Sequence, residues 1–117
     1  MPDINIDQVD WKKVDGLVPA VIQDVNNGHV LMLGYMNKAA LSHTVNSGKV
    51  TFFSRSKNRL WTKGETSGNW MNYVRGEIDC DADTILIQAR PYGPVCHTGS
   101  VSCFNDIVPD NTQFLGQ

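Results

Sequence analysis

The chain has 117 residues and a formal net charge of −2; this length fits one domain, and the bulk charge indicates neither a nucleic-acid partner nor a membrane surface. Three cysteines are an odd number and make a poor disulfide framework. The N-terminal stretch MPDINIDQVDWKKVDG has no apolar signal core, and no apolar run approaches the roughly 20 residues that a membrane helix needs. We therefore expect a soluble protein in a reducing compartment, the cytoplasm.

The predicted elements begin with two strands and a helix. The segments LVPAVIQDV (17–25) and HVLMLGYM (29–36) are rich in apolar residues that favour strands, and the NNG stretch between them is a turn signal. Asn37 is the predicted N-cap of the helix, and Gly48 is the predicted residue at its C-terminal end.

Three more strands are predicted further along the chain: KVTFFS (49–54), MNYVRGEIDC (71–80) and TILIQA (84–89). The polar segment 54–69 should be loop for much of its length, and RPYGPVCHTG (90–99) should be a loop because it holds two prolines and two glycines. The pattern predicts an α+β fold, a small single domain with a largely antiparallel sheet and few helices.

The segment SRSKNRLWTKGETSGN (54–69) concentrates positive charge in a slightly acidic chain. Hydroxyl groups and glycine backbone amides accompany the cations, and phosphate groups favour that mixture. Trp61 offers a ring on which a nucleobase can stack, although an ordinary basic loop with a core tryptophan stays open as the alternative. The candidate substrate-binding residues are Arg55, Lys57, Arg59, Trp61, Lys63 and Ser67.

Three aspartates, Asp79, Asp81 and Asp83, alternate along the sequence. On an extended strand they would share one face, where their carboxylates repel one another. A hard divalent cation such as Mg²⁺ would remove that repulsion. The alternative is a solvated acidic strand end.

The cysteines Cys80, Cys96 and Cys103 are not spaced like the CxxC pairs of a structural zinc finger. Free cysteines are often simply buried, but aspartates flank Cys80, and His97 and a glycine-containing turn follow Cys96. Three thiolates match the ligand number of a catalytic zinc site whose fourth position is left to water. His97 is then either a fourth zinc ligand or a group that transfers protons.

Taken together, these motifs resemble the phosphoribosyl-AMP cyclohydrolase family of histidine biosynthesis. The resemblance begins at GLVPAVIQD and VLMLGYMNKAAL, and it continues through FFSRSKNRLWTKGETSGN, DCDAD and GPVCHTGSVSCF. It covers nearly all of residues 16–105. We therefore expect one domain of this family over residues 1–117.

The resemblance implies a zinc- and magnesium-dependent hydrolase that opens the purine ring of N1-(5-phosphoribosyl)-AMP at the N1–C6 bond. It implies Cys80, Cys96 and Cys103 as zinc ligands, and Asp79, Asp81 and Asp83 as magnesium ligands. It also implies an intertwined homodimer in which two chains share each zinc site. We assign proton transfer to His97 because histidine exchanges protons near neutral pH.

Two alternative functions remain. A zinc-dependent nucleobase deaminase would carry HxE and PCxxC signatures, and neither is present. A non-catalytic zinc module that binds RNA would explain the basic segment, but it leaves the three aspartates without a purpose.

Overall fold

The computed structural model describes residues 4–104 and forms an α+β fold. A short 3-10 helix, Ile6–Gln8, precedes the regular elements. No helix among the described residues is long and apolar enough to cross a membrane. The other elements, in chain order, are β1 (Val18–Asp24), β2 (Val30–Met36), α1 (Lys38–Ser47), β3 (Thr51–Ser54), β4 (Arg59–Thr62), β5 (Met71–Ile78) and β6 (Ile85–Pro91).

The main sheet has four strands in the order β2-β1-β6-β5. The pairs β1–β2 and β5–β6 are antiparallel, while β1 and β6 run parallel, with Ala20 opposite Ile85. Strands β3 and β4 form a separate antiparallel hairpin. The prediction of a largely antiparallel sheet is therefore confirmed.

The core lies between one face of the main sheet and the helix with the β3–β4 hairpin. Along β1, alternate residues are buried, as the period of a strand requires. Helix α1 contributes Ala40 and Leu41 to the core, and β3 contributes Phe52. Both predicted helix ends are confirmed: Asn37 Oδ1 accepts the Ala40 N–H at 2.8 Å, and Gly48 has a left-handed φ of 79°.

Strand β4 lies inside the segment that was predicted to be mostly loop. Its apolar residues pair with β3, so that Trp61 stands opposite Phe52 with ring centroids 5.2 Å apart. Asn58 adopts a φ of 50° in the connecting turn, a conformation that asparagine tolerates. Cross-strand aromatic packing therefore outweighs the polar composition of this segment.

The prediction that the aspartates lie on the face of a strand is wrong. Strand β5 ends at Ile78, and a turn follows. Asp79 Oδ1 accepts the N–H groups of Asp83 and Thr84 at 3.0 and 3.1 Å. Ala82 within the turn has a φ of 65°. The Asp79 carboxylate thus accepts hydrogen bonds from backbone N–H groups that a continued strand would have paired with its neighbour. This favours the turn over the strand.

Candidate active site

The turn at 79–84, called here the acidic turn, brings the three predicted carboxylates together. Oxygens of Asp79, Asp81 and Asp83 lie within 4.8 Å of one another, and within residues 4–104 no other three Cys, His, Asp or Glu side chains lie so close. The close approach of Asp81 and Asp83 raises the pKa of Asp81 and lowers that of Asp83. The cluster therefore forms although these residues lie in a turn and not on the predicted strand. Its oxygen atoms suit a hard divalent ion.

A lysine from the N-terminal part of the chain contacts this cluster. Lys13 Nζ lies 3.2 Å from Asp83 Oδ2 and 3.6 Å from Asp81 Oδ2. The hydrogen bond to Asp83 raises the pKa of Lys13 and helps to lower that of Asp83. Sequence reasoning missed Lys13, because nothing in the sequence links it to a cluster so far along the chain.

The loop after β6 holds the other two cysteines. Backbone hydrogen bonds close it tightly, among them Cys96 N–H to the Ser100 carbonyl at 3.1 Å. The Cys103 N–H donates to the Leu31 carbonyl at 2.8 Å, which fixes the end of the loop to strand β2. Cys103 helps to lower the pKa of Cys96, and Cys96 helps to raise the pKa of Cys103, so this loop places the two thiols near each other.

The two thiols have different environments. The Thr98 hydroxyl donates to Cys96 Sγ at 3.1 Å and lowers the pKa of that thiol. Burial raises the pKa of Cys103. His97 is exposed beside them, with Nδ1 4.0 Å from Cys96 Sγ. Thr98 is a second residue that sequence reasoning missed, although its hydroxyl two positions after a candidate ligand was the available signal.

Cys80 lies far from this thiol pair within one chain. It sits in the acidic turn, next to the start of β6, whereas Cys96 follows the end of that strand. Strand β6 has seven residues and spans about 20 Å at roughly 3.3 Å per residue. Cys103 is attached to β2, the edge strand opposite β5. The structure therefore brings together two of the three predicted zinc ligands and leaves Cys80 at the opposite corner of the sheet.

The β3–β4 hairpin and the turn after it surround a cavity of about 440 Å³. Arg59 Nη2 contacts Glu65 Oε1 at 3.1 Å, and Glu65 also accepts the Thr62 N–H, an interaction that holds the pKa of Glu65 below its usual range. Sequence reasoning missed Glu65, which neutralises one of the predicted cations. The lining residues are Ser54, Lys57, Arg59, Trp61, Thr62, Lys63, Gly64, Glu65, Thr66 and Ser67.

This basic cavity adjoins the thiol pair. The positive charge of Lys63 helps to lower the pKa of Cys96 and partly opposes the rise in the pKa of Cys103. The two loops are also joined by their backbones, since the Tyr92 N–H donates to the Trp70 carbonyl at 3.0 Å. Lys63 of the basic cavity therefore lies near enough to the two thiols for its charge to act on them.

Arg55 lies outside the basic cavity. Its guanidinium lies 4.6 Å from the centre of the Tyr35 ring, in a neighbouring cavity of about 390 Å³. Trp61 lines both cavities and separates them. The structure thus places five of the six candidate substrate-binding residues around one space and puts Arg55 with aromatic side chains next to it.

A family model and several known proteins resemble this chain, and their descriptions agree with one another. Residues 32–105 match the family model described as phosphoribosyl-AMP cyclohydrolase. Three relatives share the name "Histidine biosynthesis bifunctional protein HisIE". That of Xanthomonas campestris is 60% identical over 111 residues, covering 95% of this chain and 52% of the relative. That of Escherichia coli is 61% identical over 99 residues (85% and 49%), and that of Vibrio cholerae is 52% identical over 109 residues (93% and 52%). The chain spans about half the length of these relatives.

Proposed function

Because the chain belongs to the phosphoribosyl-AMP cyclohydrolase family, we propose that it hydrolyses the N1–C6 bond of N1-(5-phosphoribosyl)-AMP in histidine biosynthesis. The observation that carries the proposal is that Lys63, which lines the basic cavity, acts electrostatically on both thiols of the Cys96–Cys103 pair. A substrate with phosphates at its ends and a reactive ring between them needs anion binding and a reaction centre in one space.

The basic cavity supplies the anion binding. Lys57 and Lys63 line it together with Arg59, whose charge Glu65 partly offsets. The Ser67 hydroxyl lies at the same wall and adds a hydrogen-bond donor for phosphate oxygens. Trp61 stands between the two cavities and offers a ring face to the base.

The thiol pair fits a zinc ion. Cys96 and Cys103 are free, adjacent and unequal in pKa, and thiolate ligands favour zinc over harder ions. Free thiols also fit the reducing cytoplasm. A catalytic zinc site needs a third protein ligand, and the acidic turn carries Cys80 too far away in the same chain.

We assign the third ligand to the partner's Cys80 in a homodimer. Apolar side chains that are 41–63% exposed lie in the thiol loop and on β2, the strand to which this loop is hydrogen-bonded, and such exposure favours a protein contact. Two lie on β2 and two flank Cys103; they are Val30, Leu33, Val101 and Phe104. In this arrangement the partner's acidic turn lies beside the thiol pair, so zinc and magnesium would bind close together.

The acidic turn fits magnesium. Its three carboxylates supply oxygen ligands at close range, and their mutual repulsion falls when a divalent cation binds. One oxygen of Asp79 already accepts two backbone N–H groups, so the carboxylate is oriented before any metal arrives.

Hydrolysis of the N1–C6 bond also requires proton transfer while water attacks C6 and N1 departs. When bound, zinc supplies an activated water, whose pKa falls from about 15.7 toward about 7. His97 is exposed beside the thiol pair and is the group that we assign to move protons there.

The test is an ultraviolet absorbance assay of ring opening with the purified chain, zinc, magnesium and N1-(5-phosphoribosyl)-AMP. We expect ring opening by the parent chain and turnover lower by about 10²–10⁴-fold in His97→Ala, with zinc content unchanged. Loss of zinc in this variant would make His97 a ligand instead. An intact substrate ring, or retention of labelled RNA in its place, would reject the proposed activity.

A further inference from the structure

The N-terminal part of the chain is packed against the acidic turn. The Asp10 N–H donates to the Ala82 carbonyl at 2.8 Å, and the Lys13 N–H donates to Asp10 Oδ1 at 3.1 Å. These two bonds set the direction in which the Lys13 side chain leaves the backbone. Lys13 is therefore held at the acidic turn by its own backbone as well as by its charge.

The ammonium group of Lys13 has three oxygen neighbours in that turn. It donates to the Asp81 carbonyl at 2.9 Å, and it lies 3.2 and 3.6 Å from single carboxylate oxygens of Asp83 and Asp81. A cation surrounded by carboxylate and main-chain oxygens has the kind of environment that a hard metal ion takes. Lys13 thus uses the same ligand chemistry that magnesium would use.

We propose that Lys13 is an internal counter-ion that holds the acidic turn together without metal and leaves its carboxylate contacts when magnesium binds. This inference rests on the proposed magnesium site. The physical reason is that the ammonium and the metal ion carry like charges and compete for oxygens of Asp81 and Asp83. Binding of magnesium is then an exchange of cations, and Lys13 weakens the apparent affinity.

The expected size of the effect follows from the exposure of the groups. The side chains of Lys13 and Asp81 are 43% and 58% exposed, and that of Asp83 is 29% exposed. Exposed ion pairs are individually weak and are screened by salt. Lys13→Met should therefore tighten magnesium binding by roughly threefold to tenfold at low ionic strength, the range that two such pairs allow.

The experiment is isothermal titration of Mg²⁺ into the full chain after dialysis against magnesium-free buffer, so its readout is independent of activity. Lys12→Met is the matched control, because Lys12 is exposed in the same loop and forms no ion pair with residues 4–104. Lys13→Arg keeps the charge and should stay near the parent affinity. Thermal unfolding without magnesium supplies a second measurement, in which Lys13→Met should be less stable than the parent and recover when magnesium is added.

The outcomes distinguish the role of Lys13 from the existence of the magnesium site. Tighter binding in Lys13→Met alone supports the exchange. Equal or weaker binding in Lys13→Met, with the parent binding magnesium, overturns the role of Lys13 and leaves the magnesium site in place. An absence of magnesium binding in every variant overturns the site and this inference together.

Discussion

At the scale of single residues, the pKa values of the two thiols are shifted in opposite directions. The Thr98 side chain donates to Cys96 Sγ, while Cys103 is shifted in the other direction by burial. A hydrogen bond to a thiolate favours the charged form, and the thiolate is the form that binds metal. Thr98 therefore favours Cys96 as the first of the two thiols to ionise.

Thr98→Val should raise the pKa of Cys96, because the donor is lost while the volume is nearly kept. The measurement is the rate of iodoacetamide alkylation of Cys96 against pH, followed by peptide mass in metal-free protein. We expect the Thr98→Val profile to move to higher pH, since less thiolate is present at each pH value. Thr98→Ser retains the hydroxyl and should keep the parent profile. Superimposed curves for Thr98→Val and the parent would remove Thr98 from this role.

Other residues at the site differ in how far the sequence could identify them. The grouping of the three carboxylates was predictable because residue type and local spacing are properties of a short segment. Lys13 was not, because its contact with Asp83 depends on how two distant turns pack. Glu65 lies within the basic segment, but its pairing with Arg59 depends on strand β4. The polar composition of the segment had predicted a loop there.

At the scale of elements, helix α1 fixes the hairpin that carries the basic cavity. Thr44 on the helix is fully buried, and its Oγ1 accepts the Thr51 N–H from β3 at 2.9 Å. The same hydroxyl can donate to the Ala40 carbonyl at 2.9 Å. The helix ends were predictable from capping residues, whereas this bond between elements arises only from tertiary packing.

Thr44→Val should destabilise the chain by about 1–3 kcal/mol, because it leaves the buried Thr51 N–H without its acceptor. Thr51 is itself only 1% exposed, so water cannot readily replace the lost acceptor. Urea unfolding measures the free energy, and amide hydrogen exchange locates the effect. Exchange at Thr51 should quicken in Thr44→Val and stay slow in Thr44→Ser, which retains the hydroxyl. Equal protection of Thr51 in both variants would contradict the assignment.

At the scale of the whole molecule, the sheet separates the two halves of the proposed metal site. The acidic turn with Cys80 lies at one end of the β5–β6 pair, and the loop with Cys96 follows the other end. The sequence places these segments within one short stretch, so their separation could not be read from spacing alone. Strand β6 runs from the acidic turn to the thiol loop, so two segments that are close in sequence lie far apart in space. Two chains packed with opposite directions would bring each acidic turn to the other chain's thiol loop.

Mixed dimers test this arrangement directly. Cys80→Ser and Cys96→Ser should each be inactive alone, because every shared site then contains one lesion. When the two variants are refolded together, one site of a mixed dimer combines both lesions and the other is intact. Activity and bound zinc should then reappear, at up to half of the parent value for each mixed dimer. If each chain built its own site, every site would keep a lesion and nothing would be rescued. Absence of rescue, with mixed dimers identified by mass, would place the zinc ligands within one chain and require Cys80 to move across the sheet.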